Sequence, residues 1–393
     1  MNPDELKTAF TRLYGNAGDV HVFFAPGRVN LIGEHIDYNG GYVFPGALTI
    51  GTFALARRRN DHLIRLNSLN AGGEVVVDTR ADIRFDEKDG WGNYPKGVCL
   101  FLRNEGYSLG GYDILYWGDL PDGAGLSSSA ALEVVTGFLL LTLGTSVAPA
   151  PPGEEVDKVW LAQLCQKVEN QFIHVNSGIM DQFCVAMGKQ DHALLLNTQS
   201  LEYQHVPFQL RGYRLMVMNS NKRRELINSR YNERRAECDR VLAILNQHHA
   251  YPNLCAAPWE AVAQLVADET LRKRARHVIT ENQRVLKAVD VLKAGDLNTF
   301  GELLNAAHQS MRDDYELVGF EVDTLVGESQ RYPGCVGARM TGGDGFGGCA
   351  LAIVKEANAA DFKQRIGDAY AQKTGFRASF YPSQIGEGVH RVA

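Results

Sequence analysis

"YDILYWGDLPDGAGLSSSAALEVVTGFLLLTLG", residues 112–144, holds the segment on which the reading of the fold turns. Its apolar start, 112–117, has the length and the aromatic and branched content of a strand. Pro121, Asp122, Gly123, Ala124 and Gly125 then make a turn, Leu126 follows, and Ser127, Ser128 and Ser129 open a helix that stays apolar to about Leu143. Glycine lets the backbone turn sharply and approach a ligand, and the free N–H groups and positive dipole end of a new helix attract an anion. The pattern predicts a phosphate cradle, with hydroxyls at Ser128 and Ser129 available to phosphate or magnesium. A tight turn with a serine N-cap would account for the glycines and one serine, but not for three. The cradle is not a Walker A loop, because no GxxxxGK[ST] occurs in the chain. It is not a dinucleotide fingerprint either: serine stands at the third glycine position, and no second strand ending in an acid follows about twenty residues on.

Either side of this segment the pattern changes. Alternation in HVFFAP (21–26), GYVFPGAL (41–48), TFALARR (52–58), HLIRLNS (62–68) and EVVVD (74–78) predicts a strand-rich first third, with turns at the Gly and Asn clusters. Strands return at HALLLNT (192–198) and YRLMVMNSN (213–221), helices fill 224–330, and GARM (337–340), GCALAIV (348–354) and FRASFYP (376–382) predict a final small sheet. This is an α+β pattern, and 393 residues suggest two domains, divided near residue 205 into 1–205 and 206–393. The Pro-rich patch 145–155 reads as a surface loop between two helices.

A net charge of −6 argues against nucleic acid as the main partner, so small molecules are expected instead. The basic runs NKRRE (221–225) and RKRARH (272–277) fall in helical patterns with acids nearby and read as solvated faces. The first thirty residues lack the basic start and apolar core of a signal peptide, and the longest apolar stretch, FLLLTLG, is far shorter than the roughly 20 residues of a membrane helix. Seven cysteines, an odd number without a CxxC pair, fit reduced thiols in a cytoplasm. His248 and His249 have no acidic or cysteine partner at ligand spacing and read as a helix end.

Three further stretches carry chemistry. MTGGDGFGGCALAIV (340–354) contains a literal GxGxxG at Gly343, Gly345 and Gly348, but a strand follows where a dinucleotide site needs a helix. Protein-kinase partners H-R-D and D-F-G are missing as well. Five glycines in seven residues still mark backbone that something approaches closely, or a hairpin with left-handed residues. APGRVNLIGEHIDYNGG (25–41) crowds Arg28, Glu34, His35 and Asp37 between glycines, which suggests a loop shaped to present them. Sugar hydroxyls both donate and accept, so carboxylates and imidazole can grip them, although a solvated polar turn would share this composition. In VENQFIHVNSGIMDQFCVAMG (168–188), HVNSG separates two helices, putting Asp181 in the first turn of the second, a position that favours an acid whether or not it is catalytic.

Together these segments resemble the galactokinases of the GHMP kinase superfamily, over nearly the whole chain. GRVNLIGEHIDYNGGYVFPGAL is similar to their sugar signature, LPDGAGLSSSAALEV to the phosphate loop, ENQF and GIMDQF to the catalytic-acid segment, and MTGGDGFGGC to the C-terminal glycine loop. The resemblance implies an N-terminal mixed sheet with helices, a C-terminal ferredoxin-like α/β sandwich, and an active site between them. It implies phosphorylation of galactose by ATP at the anomeric hydroxyl, in a cytoplasmic, monomeric enzyme. By the same resemblance Asp181 is the base and Arg28 lies beside it, holding it ionised and offsetting charge on the transferred group. Glu34, His35, Asp37, Gly178 and Tyr231 bind the sugar; Gly123, Ala124, Gly125, Leu126, Ser127 and Ser128 cradle the phosphates; Trp91 and Tyr94 border the adenine; Ser129 and Glu169 hold Mg2+. One departure stands out: Thr341 to Cys349 is one residue longer than the usual loop and adds Asp344. A carboxylate about 4 Å from phosphate would repel it by roughly 1 kcal/mol when well hydrated and several when not, so Asp344 is expected to face solvent or the loop to stand back. N-acetylgalactosamine kinases share most of these motifs, and galactose-sensing regulators keep the fold but lose serines that GLSSSAA retains here.

Overall fold

The structure, a computed structural model, describes residues 1–16, 18–121, 125–144, 155–222, 227–342 and 345–392, with backbone alone at 227–229. In chain order its main elements begin with α1 (Pro3–Tyr14), β1 (His21–Ile32), β2 (Tyr42–Arg59), β3 (Leu63–Ser68), β4 (Glu74–Asp78), α2 (Asn93–Asn104) and β5 (Gly111–Gly118). They continue through α3 (Ser128–Leu143), α4 (Lys158–Val168), α5 (Met180–Met187), β6 (His192–Asn197), β7 (Tyr203–Pro207), β8 (Tyr213–Asn219) and α6 (Ile227–Leu245). The remainder is α7 (Trp259–Leu265), α8 (Glu269–Lys293), α9 (Leu297–Asp313), α10 (Phe320–Arg331), β9 (Cys335–Thr341), β10 (Cys349–Lys355), α11 (Ala359–Thr374), β11 (Ser379–Ser383) and β12 (His390–Arg391).

The larger sheet runs β12-β1-β2-β5-β3-β4, with β6 on β2 and β7 on β6. Its β3–β5 pair is parallel and the others are antiparallel, so the sheet is mixed. Alternation decides the edge: in β4, Val75 and Val77 turn inward while Val76 is 51% exposed. The central β5 is buried on both faces along 111–116, and the one charge within it, Asp113, is paired with Arg57 and Arg59 of β2. GYVFPGAL and TFALARR were expected as two strands with a turn; they form one, β2, because β1 lies along its length and accommodates it with two register shifts.

The smaller sheet, β11-β8-β10-β9, is wholly antiparallel, with α9, α10 and α11 packed on it. Its fourth strand is YRLMVMN, drawn across the intervening helices to join the three late strands. This completes the ferredoxin-like sandwich. The two halves are interlocked, since β12 returns to pair with β1, and α8 packs on β1 and β2.

Three elements set up the cleft. α3 is apolar all round and therefore lies inside, with Ala130, Ala131, Val134, Val135, Leu139 and Leu140 buried. α4 widens into a π turn at Glu169–Ile173, which His174 ends in the left-handed region at φ +65°. α5 starts after this break, as the sequence predicts, with Asp181 in its first turn.

Candidate active site

Arg28 enters the cleft from β1, a strand, and not from the loop that its flanking glycines suggested. Its guanidinium Nε donates to Asp181 Oδ1 at 2.8 Å and Nη2 to Oδ2 at 2.9 Å, a bidentate pair. The remaining arm, Nη1, donates to the Gly125 carbonyl at 2.6 Å, so one planar group joins the acid of α5 to the glycine turn that leads into α3. Arg28 is 3% exposed, whereas the Asp181 side chain keeps 29% of its surface open to the cleft.

Glu34, His35 and Asp37 follow β1 in the signature loop. His35, held at φ +59°, shares a 2.8 Å hydrogen bond between Nδ1 and the Tyr38 hydroxyl, which in turn meets the Tyr315 hydroxyl at 2.6 Å. The rings of Tyr231 and Tyr315 each lie 5.2 Å from the imidazole. Burial raises all three tyrosine hydroxyls well above their usual range, so they act as neutral donors and acceptors. Asp37 is pushed up to about 7, first by burial and then by the charge of Asp181. Gly178 makes this arrangement possible: a Cβ there would stand 1.9 Å from Asp37 Oδ2. A single pocket gathers Arg28, Glu34, His35, Asp37, Ser129, Glu169, Gly178, Asp181 and Tyr231, all of the sugar, base and metal residues expected from the sequence.

Glu169 begins the π turn and is buried, with its Oε2 accepting from Ser177 Oγ at 2.7 Å, and Ser129 lines the same pocket. Burial raises its pKa. Glu133, one helical turn after Ser129, is entirely buried, and its Oε1 has no partner among the described residues. Burial and the neighbouring Glu169 push it far above the carboxylate range. At the head of α3, Ser127 adopts the left-handed region, φ +62°, and its Oγ makes no capping bond; it too is buried and unpartnered. The N-cap explanation of these serines is therefore wrong for Ser127, whose side chain leaves the helix N–H groups open. Gly123 and Ala124 lie outside the described residues, as do Gly343 and Asp344 with the expectation for the added acid.

A second pocket is lined by Trp91, Tyr94, Ser128 and Ser129, together with Thr52, Ser68, Asn70, Tyr116 and Leu132. Trp91 stands edge-on to Tyr116 and donates through Nε1 to the Gly72 carbonyl at 3.2 Å. Aromatic walls with a few polar groups suit a planar heterocycle. Ser129 borders both pockets, so their contents meet at the head of α3.

Sequence reasoning missed the residues that hold the signature loop from the other half of the chain. Glu281 Oε1 accepts from the backbone N–H of Gly33 at 2.9 Å and of Glu34 at 3.2 Å, and His277 Nε2 meets the Glu34 carbonyl at 3.0 Å. Burial lowers His277 to about 4, so its ring is neutral and Nε2–H donates. Arg339 Nη2 donates to Glu34 Oε2 at 2.7 Å. RKRARH is not a solvated face throughout: Arg274 and His277 are buried, Arg274 bonding Glu237 and Glu316. No local signal marks these residues, because their partners lie from 37 to 305 positions away.

Comparison with known proteins gives this geometry a lineage. The galactokinase galactose-binding signature matches residues 8–58, the GHMP kinases N terminal domain 93–189, and the GHMP kinases C terminal domain 288–372. A galactokinase of Halalkalibacterium halodurans is 49% identical, covering 98% of this chain and 97% of its own. One from Exiguobacterium sibiricum is 47% identical, covering 100% and 99%. The crystal structure of Lactococcus lactis galactokinase complexed with galactose superposes with a TM-score of 0.93 at 42% identity over 99% of both chains. Methanococcus jannaschii mevalonate kinase, 15% identical over 94% of this chain and 99% of its own, shares the fold with a TM-score of 0.67. With these domain matches and full-length relatives at 47% and 49% identity, the chain belongs to the galactokinase family of GHMP sugar kinases.

Proposed function

We propose that the chain transfers the γ-phosphoryl group of ATP to the anomeric C1 hydroxyl of galactose, giving galactose 1-phosphate. The observation that carries this reading is the bidentate Arg28–Asp181 pair, set where a polar pocket and an aromatic pocket meet at Ser129. Galactose enters the polar pocket, gripped by Glu34, His35, Asp37 and Tyr231 and by the backbone at Gly178. Trp91 and Tyr94 border the adenine, and the N–H groups at Gly125, Leu126, Ser127 and Ser128 take the phosphates, with Gly123 and Ala124 assigned to the same cradle. Asp181 accepts the proton of the attacking hydroxyl, while Arg28 offsets charge on the transferred group. Such a reaction needs in-line positioning and electrostatic stabilisation more than covalent chemistry.

The residues around Ser129 and Glu169 fit Mg2+. They offer hard oxygen donors, and Glu133 Oε1 adds a buried, unpartnered oxygen nearby. Among the described residues no cluster of three or more His, Cys, Asp or Glu forms a cage, but magnesium commonly takes only one or two carboxylates and completes its shell with phosphate and water. Ser129 and Glu169 would hold the ion, which would neutralise charge on the phosphates.

Residues 1–205 and 206–393 are assigned as the two domains. All seven cysteines are free thiols, consistent with a reducing cytoplasm, and the proposal includes a monomer with small-molecule partners and no nucleic acid. Among the described residues no helix is long and apolar enough to cross a membrane. N-acetylgalactosamine phosphorylation and sugar sensing without catalysis are not favoured, because full-length relatives are galactokinases. The test is ADP release with galactose, N-acetylgalactosamine, glucose, arabinose and mevalonate. Galactose is expected far ahead of the rest; equal or greater turnover with any other acceptor would overturn the assignment.

A further inference from the structure

Glu34 divides its carboxylate between two tasks. Oε2 accepts from Arg339, while Oε1 accepts no hydrogen bond among the described residues and the side chain borders the sugar pocket. Arg339 is completely buried, an expensive place for a guanidinium unless its partners are fixed. Its other arm, Nη1, donates to the Asn30 carbonyl at 3.0 Å. Two residues further along β9, Thr341 Oγ1 accepts from the Asn30 N–H at 3.1 Å and lies 3.2 Å from the Asn30 carbonyl. The backbone of β1 is thus tied to β9 from both sides, two positions from Arg28.

The residue that follows β9, Gly342, sits at φ +92° against the phosphate cradle, where a Cβ would stand 2.7 Å from the Gly125 oxygen. That oxygen already accepts from Arg28 Nη1, whose guanidinium grips Asp181. The contacts therefore form one continuous path: Glu34 to Arg339, along β9 to Gly342, across to Gly125, and through Arg28 to the acid of α5.

We propose that Arg339 is a positioning residue that orients the Glu34 carboxylate toward the sugar and, through β9 and Gly342, couples hexose binding to nucleotide binding. The inference rests on the galactokinase reading. A hexose that engages Oε1 fixes Glu34 and its arginine; a nucleotide that engages the cradle fixes Gly125 and the strand end packed on it. Each ligand holds part of the segment that the other needs, so each raises the affinity of the other by the same factor.

The test measures galactose binding calorimetrically with and without a non-hydrolysable ATP analogue, and the analogue with and without galactose. In the wild type the mutual enhancement is expected to be about fivefold or more. Arg339→Lys keeps the charge but loses the fork: galactose should bind at least about tenfold more weakly, the analogue alone should bind within about twofold of wild type, and the enhancement should fall below about twofold. A series of monodeoxygalactoses adds a signature that a merely structural role would not move. The hydroxyl whose loss hurts wild type through Glu34 should matter less in the variant, with the other positions unchanged. If Arg339→Lys does not fold, Thr341→Val cuts the same strand from Asn30 without touching a buried charge, and it too should lower the enhancement below about twofold. Enhancement absent from the wild type, enhancement undiminished in both variants, or equal weakening of both ligands would overturn the proposal. A wild-type protein that binds no galactose would instead overturn the functional reading on which it stands.

Discussion

Replacing Asp37 by Asn should make the ligand-free protein more stable at alkaline pH and worse at binding sugar. Burial and Asp181 raise the Asp37 carboxyl from 3.8 to about 7. Between those pH values the folded chain keeps a proton that the unfolded chain has released. The stability this contributes is complete below about pH 4 and is lost as pH rises through about 7. The displacement corresponds to at most about 4 kcal/mol. Solvent reaches part of the side chain, so about 2 kcal/mol is the figure to expect after screening. Thermal melts of wild type and Asp37→Asn, measured without ligand from pH 5.5 to 8.5, should diverge with rising pH. The variant should melt several degrees higher at pH 8, and the gap should shrink toward pH 5.5. Kinetics supply the second half. If the sugar hydroxyls need the ionised carboxylate, wild-type kcat/KM for galactose should fall about tenfold for each pH unit below about 7, because that ratio reports groups in the free enzyme. Asp37→Asn should lack this limb at a much lower plateau. A variant that melts no higher than wild type at pH 8, with no change in the gap across the range, would refute the claim that burial loads this carboxyl with strain.

Asp181→Asn keeps the shape of the bidentate acceptor but removes its charge; turnover should drop by about a thousandfold in protein with a wild-type circular dichroism spectrum, and retention of most of the turnover would remove the base assignment. Gly178→Ala places a Cβ where Asp37 Oδ2 now sits. The carboxylate must move, so KM for galactose should rise at least about tenfold while KM for ATP stays within about twofold, as steady-state kinetics with each substrate varied will show. Trp91→Ala strips one wall of the aromatic pocket and should reverse that pattern, raising KM for ATP about tenfold and leaving that for galactose alone. A galactose effect of equal size would mean that the two pockets are misassigned.

Much of the architecture is legible locally because the relevant physics is local. The alternation of EVVVD reports an edge strand with one dry face, the aromatic and branched content of 112–117 reports another strand, and HVNSG reports the helix break that puts Asp181 in a first turn. Local reading failed where tertiary contacts override it. Gly51, between the two expected strands, looks like a turn residue, yet β1 holds it inside one long strand. Arg274 and His277 look solvated, yet acids and a backbone carbonyl from distant segments bury them. Ser127 looks like a cap, yet its backbone is left-handed and its hydroxyl makes no bond to the helix N–H groups.

By itself the sequence determined the glycine and serine turn into α3 on which the proposed phosphate cradle rests, the exclusion of the Walker and dinucleotide alternatives, and the set of side chains from which a sugar site could be built. Those depend on glycine, serine and helix-start chemistry within a few residues of one another. Tertiary structure alone decided how that set is arranged: Arg28 meets Asp181 across 153 positions, and Glu34 meets Arg339 across 305. Such pairs leave no periodic or neighbouring signal, because a buried charge is made tolerable only by whatever partner the packing of the whole chain brings to it.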